Sequence, residues 1–79
     1  MNTEDGIILS SVTYAMRAKQ TLYGYNIKCY VQRLPAAVTG CGCGYGLRLS
    51  DPQQMEQARR RIEAAGIAVM GTYRSYDLS

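Results

Sequence analysis

Two halves of this chain follow one plan, and few folds accommodate that plan twice. Each half reads as an apolar strand, a capped helix of about three turns, a stop, and a second strand. In the first half, Gly6-Ile7-Ile8-Leu9-Ser10 is a short β-branched run suited to a central strand buried on both faces. Ser11 or Thr13 offers a cap, and Ala15, Ala18 and Leu22 recur at helical spacing while Arg17, Lys19 and Gln20 face away. The spacing predicts a helix from about Val12 to Tyr23, stopped at Gly24. From Ile27 to Leu34 the pattern changes to alternation, with Ile27, Cys29 and Val31 on one side and Lys28, Tyr30 and Gln32 on the other, and Pro35 ends the strand.

The second half repeats this more sharply. Tyr45, Leu47 and Leu49 alternate with Gly46 and Arg48. Ser50-Asp51-Pro52 is a strong helix start, because Asp51 can cap and Pro52 at the first helical position forfeits an N–H that had no partner anyway. Met55, Ala58, Ile62 and Ala65 form an apolar stripe, Gly66 is the expected stop, and Ile67 to Tyr73 reads as the last strand. The order is β-α-β-β-α-β. Two right-handed crossovers joined by a hairpin predict an α+β fold, the ferredoxin-like plait, with a four-stranded antiparallel sheet and both helices on one face. We expect one domain across residues 1–79, with flexible tails at 1–6 and 77–79, and the second strand at an edge of the sheet.

Leading from the second strand into the third is Thr39-Gly40-Cys41-Gly42-Cys43-Gly44-Tyr45-Gly46, two thiols and four glycines in eight residues. Glycine admits close approach of other atoms to the main chain, and a thiolate is both a strong nucleophile and a soft metal ligand. The loop is therefore the candidate site, with Cys43 as the principal thiol, Cys41 as its assistant, and Gly40, Gly42 and Gly44 leaving room for a visitor. The predicted topology puts the loop near both helix C-termini, so a lowered thiol pKa would have to come from Arg33, Arg48 or glycine N–H groups. Cys29, on the apolar side of its strand, reads as a small hydrophobe in the core.

The pattern leaves several chemistries open. Cys41-Gly42-Cys43 could close a small strained disulfide, clamp a soft metal ion with help from a second subunit, or pass a sulfur or selenium atom from donor to acceptor. The bland alternative is a surface hairpin whose cysteines are incidental. Three cysteines without histidine fall short of a four-ligand zinc site, and no cofactor is indicated. The glycines lack the spacing of a dinucleotide fingerprint and the lysine of a phosphate loop. A net charge of +3, with Arg59-Arg60-Arg61 spread around a helix, carries no nucleic-acid motif. No apolar run approaches the roughly 20 residues of a membrane span, and the start of the chain is unlike a signal peptide. With an odd number of thiols, this places the protein in the reducing cytoplasm, with no membrane and no nucleic acid among its partners. Seven tyrosines without Phe or Trp are more than so small a core can hide. They mark an interaction surface, and Tyr30 on an edge strand makes a homodimer a reasonable expectation.

Ser11…Ala15-Met16…Ala18-Lys19…Leu22, Ile27-Lys28-Cys29…Leu34-Pro35, Gly40…Cys43-Gly44…Leu47-Arg48-Leu49 and Gly66-Ile67…Gly71-Thr72-Tyr73 together resemble the bacterial domain family described as Putative Se/S carrier protein-like. The resemblance runs from about Ile7 to Tyr76, and its most telling part, Cys-Gly before an alternating strand with a basic residue, falls on Cys43, Gly44 and Arg48. It implies a carrier or accessory protein that accepts and passes on sulfur or selenium and meets donor and acceptor proteins. Cys41 and the tyrosine load depart from the family's pattern. The competing expectations are a dimeric metal-binding or redox-regulatory module using Cys41 and Cys43, and an interaction adaptor with passive cysteines.

Overall fold

The computed structural model describes residues 4–35 and 44–74. In chain order they form β1 (Gly6–Leu9), α1 (Val12–Tyr23), β2 (Cys29–Arg33), β3 (Tyr45–Leu49), a 3-10 turn (Pro52–Gln54), α2 (Met55–Ala64) and β4 (Gly71–Tyr73). The four strands make one antiparallel sheet in the order β2-β3-β1-β4, giving an α+β architecture with two helices. β1 is central, as its apolar run requires, and β2 lies at an edge.

The caps act where the sequence puts them. Ser11 accepts from the Tyr14 N–H at 3.2 Å, and Asp51 accepts from the Gln53 N–H at 3.0 Å with Pro52 at the first position. At their C-terminal ends the two helices close alike. The Ile27 N–H reaches the Leu22 carbonyl and the Asn26 N–H reaches Tyr23, while Ile67 reaches Ile62 and Gly66 reaches Glu63. Both are Schellman closures, and the apolar pairs Leu22 with Ile27 and Ile62 with Ile67 are buried beneath them.

α1 ends at Tyr23 with Gly24 as its cap, as expected; Gly24 is right-handed (φ −64°), and the left-handed residue that turns the chain onward is Asn26 (φ 62°), whose short polar side chain tolerates that region. Three other expectations need correction. Ala65 is exposed, because α2 ends at Ala64 and the chain has already begun to turn. β4 is shorter than expected, because the Ile67 N–H is committed to closing α2 and the first contact with β1 is Met70 N–H to the Ile8 carbonyl, 2.8 Å. Glu4–Gly6, expected in a flexible tail, are fastened to the sheet. Asp5 N–H donates to the Tyr73 carbonyl, Leu49 N–H to the Asp5 carbonyl, and Thr72 Oγ1 to Glu4.

One cluster of buried residues unites the helices with one face of the sheet: Ala15, Ala18 and Leu22 from α1, Ala58 and Ile62 from α2, and Ile7, Leu9, Cys29, Leu47 and Leu49 from the strands. The register fixes this face, since Ile7 pairs with Leu47, Leu9 with Tyr45 and Leu49 with Cys29. The other face carries Gly6, Gly46 and Gly71, and the Tyr73 ring lies over it. Tyr73 leaves β4, crosses Gly6 on β1 and Gly46 on β3, and donates its hydroxyl hydrogen to Gln32 Oε1 on β2. A Cβ at Gly6 or Gly46 would overlap ring atoms of Tyr73. The tyrosine is 5 % exposed, and burial, with Asp5 adding to it and Arg48 opposing it, pushes its pKa up.

Candidate functional site

Cys41, Cys43, Gly40 and Gly42 lie outside the described residues, so the site is approached from the strands that carry it. The hairpin ladder runs from Cys29 opposite Leu49 to Arg33 opposite Tyr45, and one further bond, Leu34 N–H to the Gly44 carbonyl at 3.2 Å, closes it at the base of the loop. Leu34 and Gly44 are both buried, so the base is sealed against the core side. Gln32, two residues before Leu34, is held by the Tyr73 hydroxyl. The loop thus springs from a β2–β3 base that the other two strands help to fix, β1 through its pairing with β3 and β4 through Tyr73.

The two arginines named from the sequence stand apart. Arg33 is exposed at the base, paired in register with Tyr45. Arg48 lies three residues further along β3, on the opposite face, where its guanidinium sits over the Tyr30 ring at 5.9 Å from the centroid. Three strand residues separate their levels by about 10 Å. Arg33 is therefore the basic group nearest the loop in register.

The expectation that the loop adjoins both helix C-termini is also corrected. Leu9, the last residue of β1, pairs with Tyr45, the first of β3, and α1 begins three residues after Leu9. The loop therefore leaves from the end of the sheet where α1 starts and α2 finishes. The reason is topological: β1 and β2 both run toward that end, and a helix connecting them must start there and run back. One helix N-terminus, with its partial positive charge, belongs to the loop's end of the molecule.

The third thiol is removed from chemistry by burial. Cys29 is fully buried, and desolvation pushes its pKa up to about 11 against a small opposing effect of Lys19. A thiol in that state is neutral at pH 7 and a poor nucleophile. Its core-filling role is the one its alternation suggested. Sequence reasoning missed Gln32 and Tyr73 as supports of the loop's base, and the signal available was that Gly6 and Gly46 leave a gap that only a long side chain could fill.

Among the described residues, no group of three or more His, Cys, Asp or Glu side chains could hold a metal ion. No helix among them is long and apolar enough to cross a membrane. The basic run of α2 is tied locally: Arg59 pairs with Glu63 at 3.9 Å, Arg60 with Glu56 at 3.4 Å, and Arg61 lies over the Tyr25 ring at 4.2 Å. Neither a curated protein nor a solved structure matches this chain. The family model described as Putative Se/S carrier protein-like matches residues 6–74, from the first residue of β1 to the one after β4, and the chain belongs to that family.

Proposed function

We propose that this protein is a non-catalytic carrier of sulfur or selenium, with Cys43 as the carrier thiol. The observation that carries the reading is the division among its thiols: Cys29 is sealed in the core and held protonated, which leaves Cys41 and Cys43 of the glycine loop for exchange. Family membership supports the same theme. The strand order, read from the other edge as β4-β1-β3-β2, supports taking the architecture as the ferredoxin-like plait, with the loop on its central hairpin.

The chemistry is an exchange without net oxidation. The Cys43 thiolate attacks the outer sulfur of a donor persulfide, a new S–S bond forms, the donor's S–S bond breaks, and the donor leaves as a thiolate. An acceptor thiolate repeats the step on Cys43. Alternatively Cys41 attacks the inner sulfur of the Cys43 persulfide, expels hydrosulfide and leaves a Cys41–Cys43 disulfide, which a thiol reductant must reopen. Arg33, at the base of the loop, favours the thiolate form. Gly40, Gly42 and Gly44 keep the approach free of side chains.

Mass spectrometry after incubation with a cysteine desulfurase and free cysteine tests this. The wild-type chain should gain 32 mass units per sulfur, about the mass of one atom transferred in the exchange. Cys43→Ala should lose the gain and Cys41→Ala should keep it. Equal uptake by Cys43→Ala and the wild type would end the proposal, and a stoichiometric soft metal in anaerobically purified protein would favour the metal-binding alternative.

A further inference from the structure

The charges of this chain are segregated. Between Gly6 and Ser50 there is no Asp or Glu, while Arg17, Lys19, Lys28, Arg33 and Arg48 fall in that stretch. Every acidic residue lies before β1 or after β3. The basic stretch includes the edge strand β2, flanked by Lys28 and ending in Arg33, both exposed and without an ion-pair partner among the described residues.

The backbone of β2 is half used. Ser50 N–H donates to the Lys28 carbonyl and Leu34 N–H to the Gly44 carbonyl, so the even-numbered residues from Lys28 to Leu34 turn their backbone groups toward β3. Cys29, Val31 and Arg33 turn theirs outward, along the open edge of the sheet. Beside that edge Tyr30 is 53 % exposed with Arg48 stacked near it.

From this juxtaposition we propose that the β2 edge is a docking site for an extended, acidic segment of a partner protein, which adds to the sheet as a fifth strand. The backbone groups of Cys29, Val31 and Arg33 supply the hydrogen bonds common to such additions. On the open face, carboxylates of the incoming strand meet Lys28 and Arg48 beside Tyr30; on the helix-covered face its apolar side chains lie against Val31, and a carboxylate at the strand's end meets Arg33. Two other occupants fit less well. A second copy of this chain would set two basic edges side by side, with no acidic residue between Gly6 and Ser50 on either to offset their charge. Single-stranded nucleic acid binds on several exposed rings, whereas Tyr73 on this sheet is buried under its own packing. Arg33 is shared with the proposed thiol site, but docking at the β2 edge is read by binding alone, so its test needs no sulfur donor.

The experiment is a titration of the uniformly labelled full chain with a ten-residue peptide (about one long strand) alternating glutamate with valine and threonine, followed by amide shifts. Saturable shifts should be largest at Cys29, Val31 and Arg33, and affinity should fall as salt rises. A Lys28→Glu/Arg33→Glu double variant, altered at two exposed positions, should weaken binding by roughly tenfold or more, and a lysine-for-glutamate peptide should not bind. The proposal is overturned if the acidic peptide fails to bind, if the largest shifts lie on α2 or away from β2, or if the double variant binds as well as the wild type. It is equally overturned if the β2 amides shift with protein concentration alone, which would identify a second copy, or if oligo-uridine binds there more tightly than the peptide.

Discussion

The two faces of the sheet bury their residues by opposite means. Against the helices, Ile7, Leu9, Leu47 and Leu49 are covered by side chains from α1 and α2, so that burial is shared among many small contributions. On the other face no helix packs among the described elements, and the strands put glycine where the opposite face has leucine. One ring, Tyr73, fills the space left by Gly6 and Gly46 and reaches Gln32. The first arrangement tolerates exchange of one aliphatic residue for another of similar volume. The second depends on two absent side chains and one present, and has no such latitude. Shared burial is robust; a single ring on bare backbone is specific.

That contrast can be broken from either side. The largest effect belongs to the helix-covered face, where Leu47→Ala should destabilise by about 2–5 kcal/mol, measured by denaturant unfolding, through lost transfer energy and a cavity. Next comes Gly46→Ala, a far smaller chemical change, which should cost about 1–3 kcal/mol because the added methyl meets the Tyr73 ring. In a Tyr73→Ala background the same glycine change should cost less than about 0.5 kcal/mol, and strict additivity would show that ring and glycine are not coupled.

Each face also holds one titratable group raised by burial. For Cys29 the sign follows from its two states: the unfolded thiol ionises near 9, the folded one near 11. The contribution of the neutral thiol is thus fully present below pH 9 and is lost as pH rises through 11. The stability gap between the wild type and Cys29→Ala should accordingly shrink by about 1–2 kcal/mol between pH 8 and pH 11. A gap that stays constant would mean that Cys29 meets solvent. The smallest effect is expected for Tyr73→Phe, which keeps the ring and loses the bond to Gln32, at about 1 kcal/mol. It should also ease the alkaline loss of stability, since the Tyr73 hydroxyl is raised in the same direction.

The helix-covered face was largely legible in the sequence. Ala15, Ala18, Leu22, Ala58 and Ile62 recur at helical spacing, Leu47, Leu49 and Cys29 alternate, and both patterns report burial on a single side. The open face was not, because its logic is a subtraction. A glycine at position 46 says only that no side chain is there, and Tyr73, 27 residues later, becomes its neighbour only through the register of β1 with both β3 and β4. Asn26 escaped notice for a similar reason, since Gly24, a better left-handed residue by propensity, stood two places before it and was bypassed by the buried pair Leu22 and Ile27. The end of the sheet from which the loop springs was a matter of strand direction alone, and there the sequence reading reversed one helix. Of the candidate site, Arg33 and Arg48 fall on described strands and Gly44 immediately before β3, and the register, not the spacing, separates the two arginines.

The dependence of the open face on Tyr73 also bears on what a truncated chain would show. Helix packing onto β1 and β3 uses residues up to Ile67, whereas the bare main chain around Gly6 and Gly46 is covered only once residue 73 is present. A product cut short before that point would expose a glycine-lined strip with an unpaired β1 edge, the kind of surface that quality-control proteases and chaperones recognise.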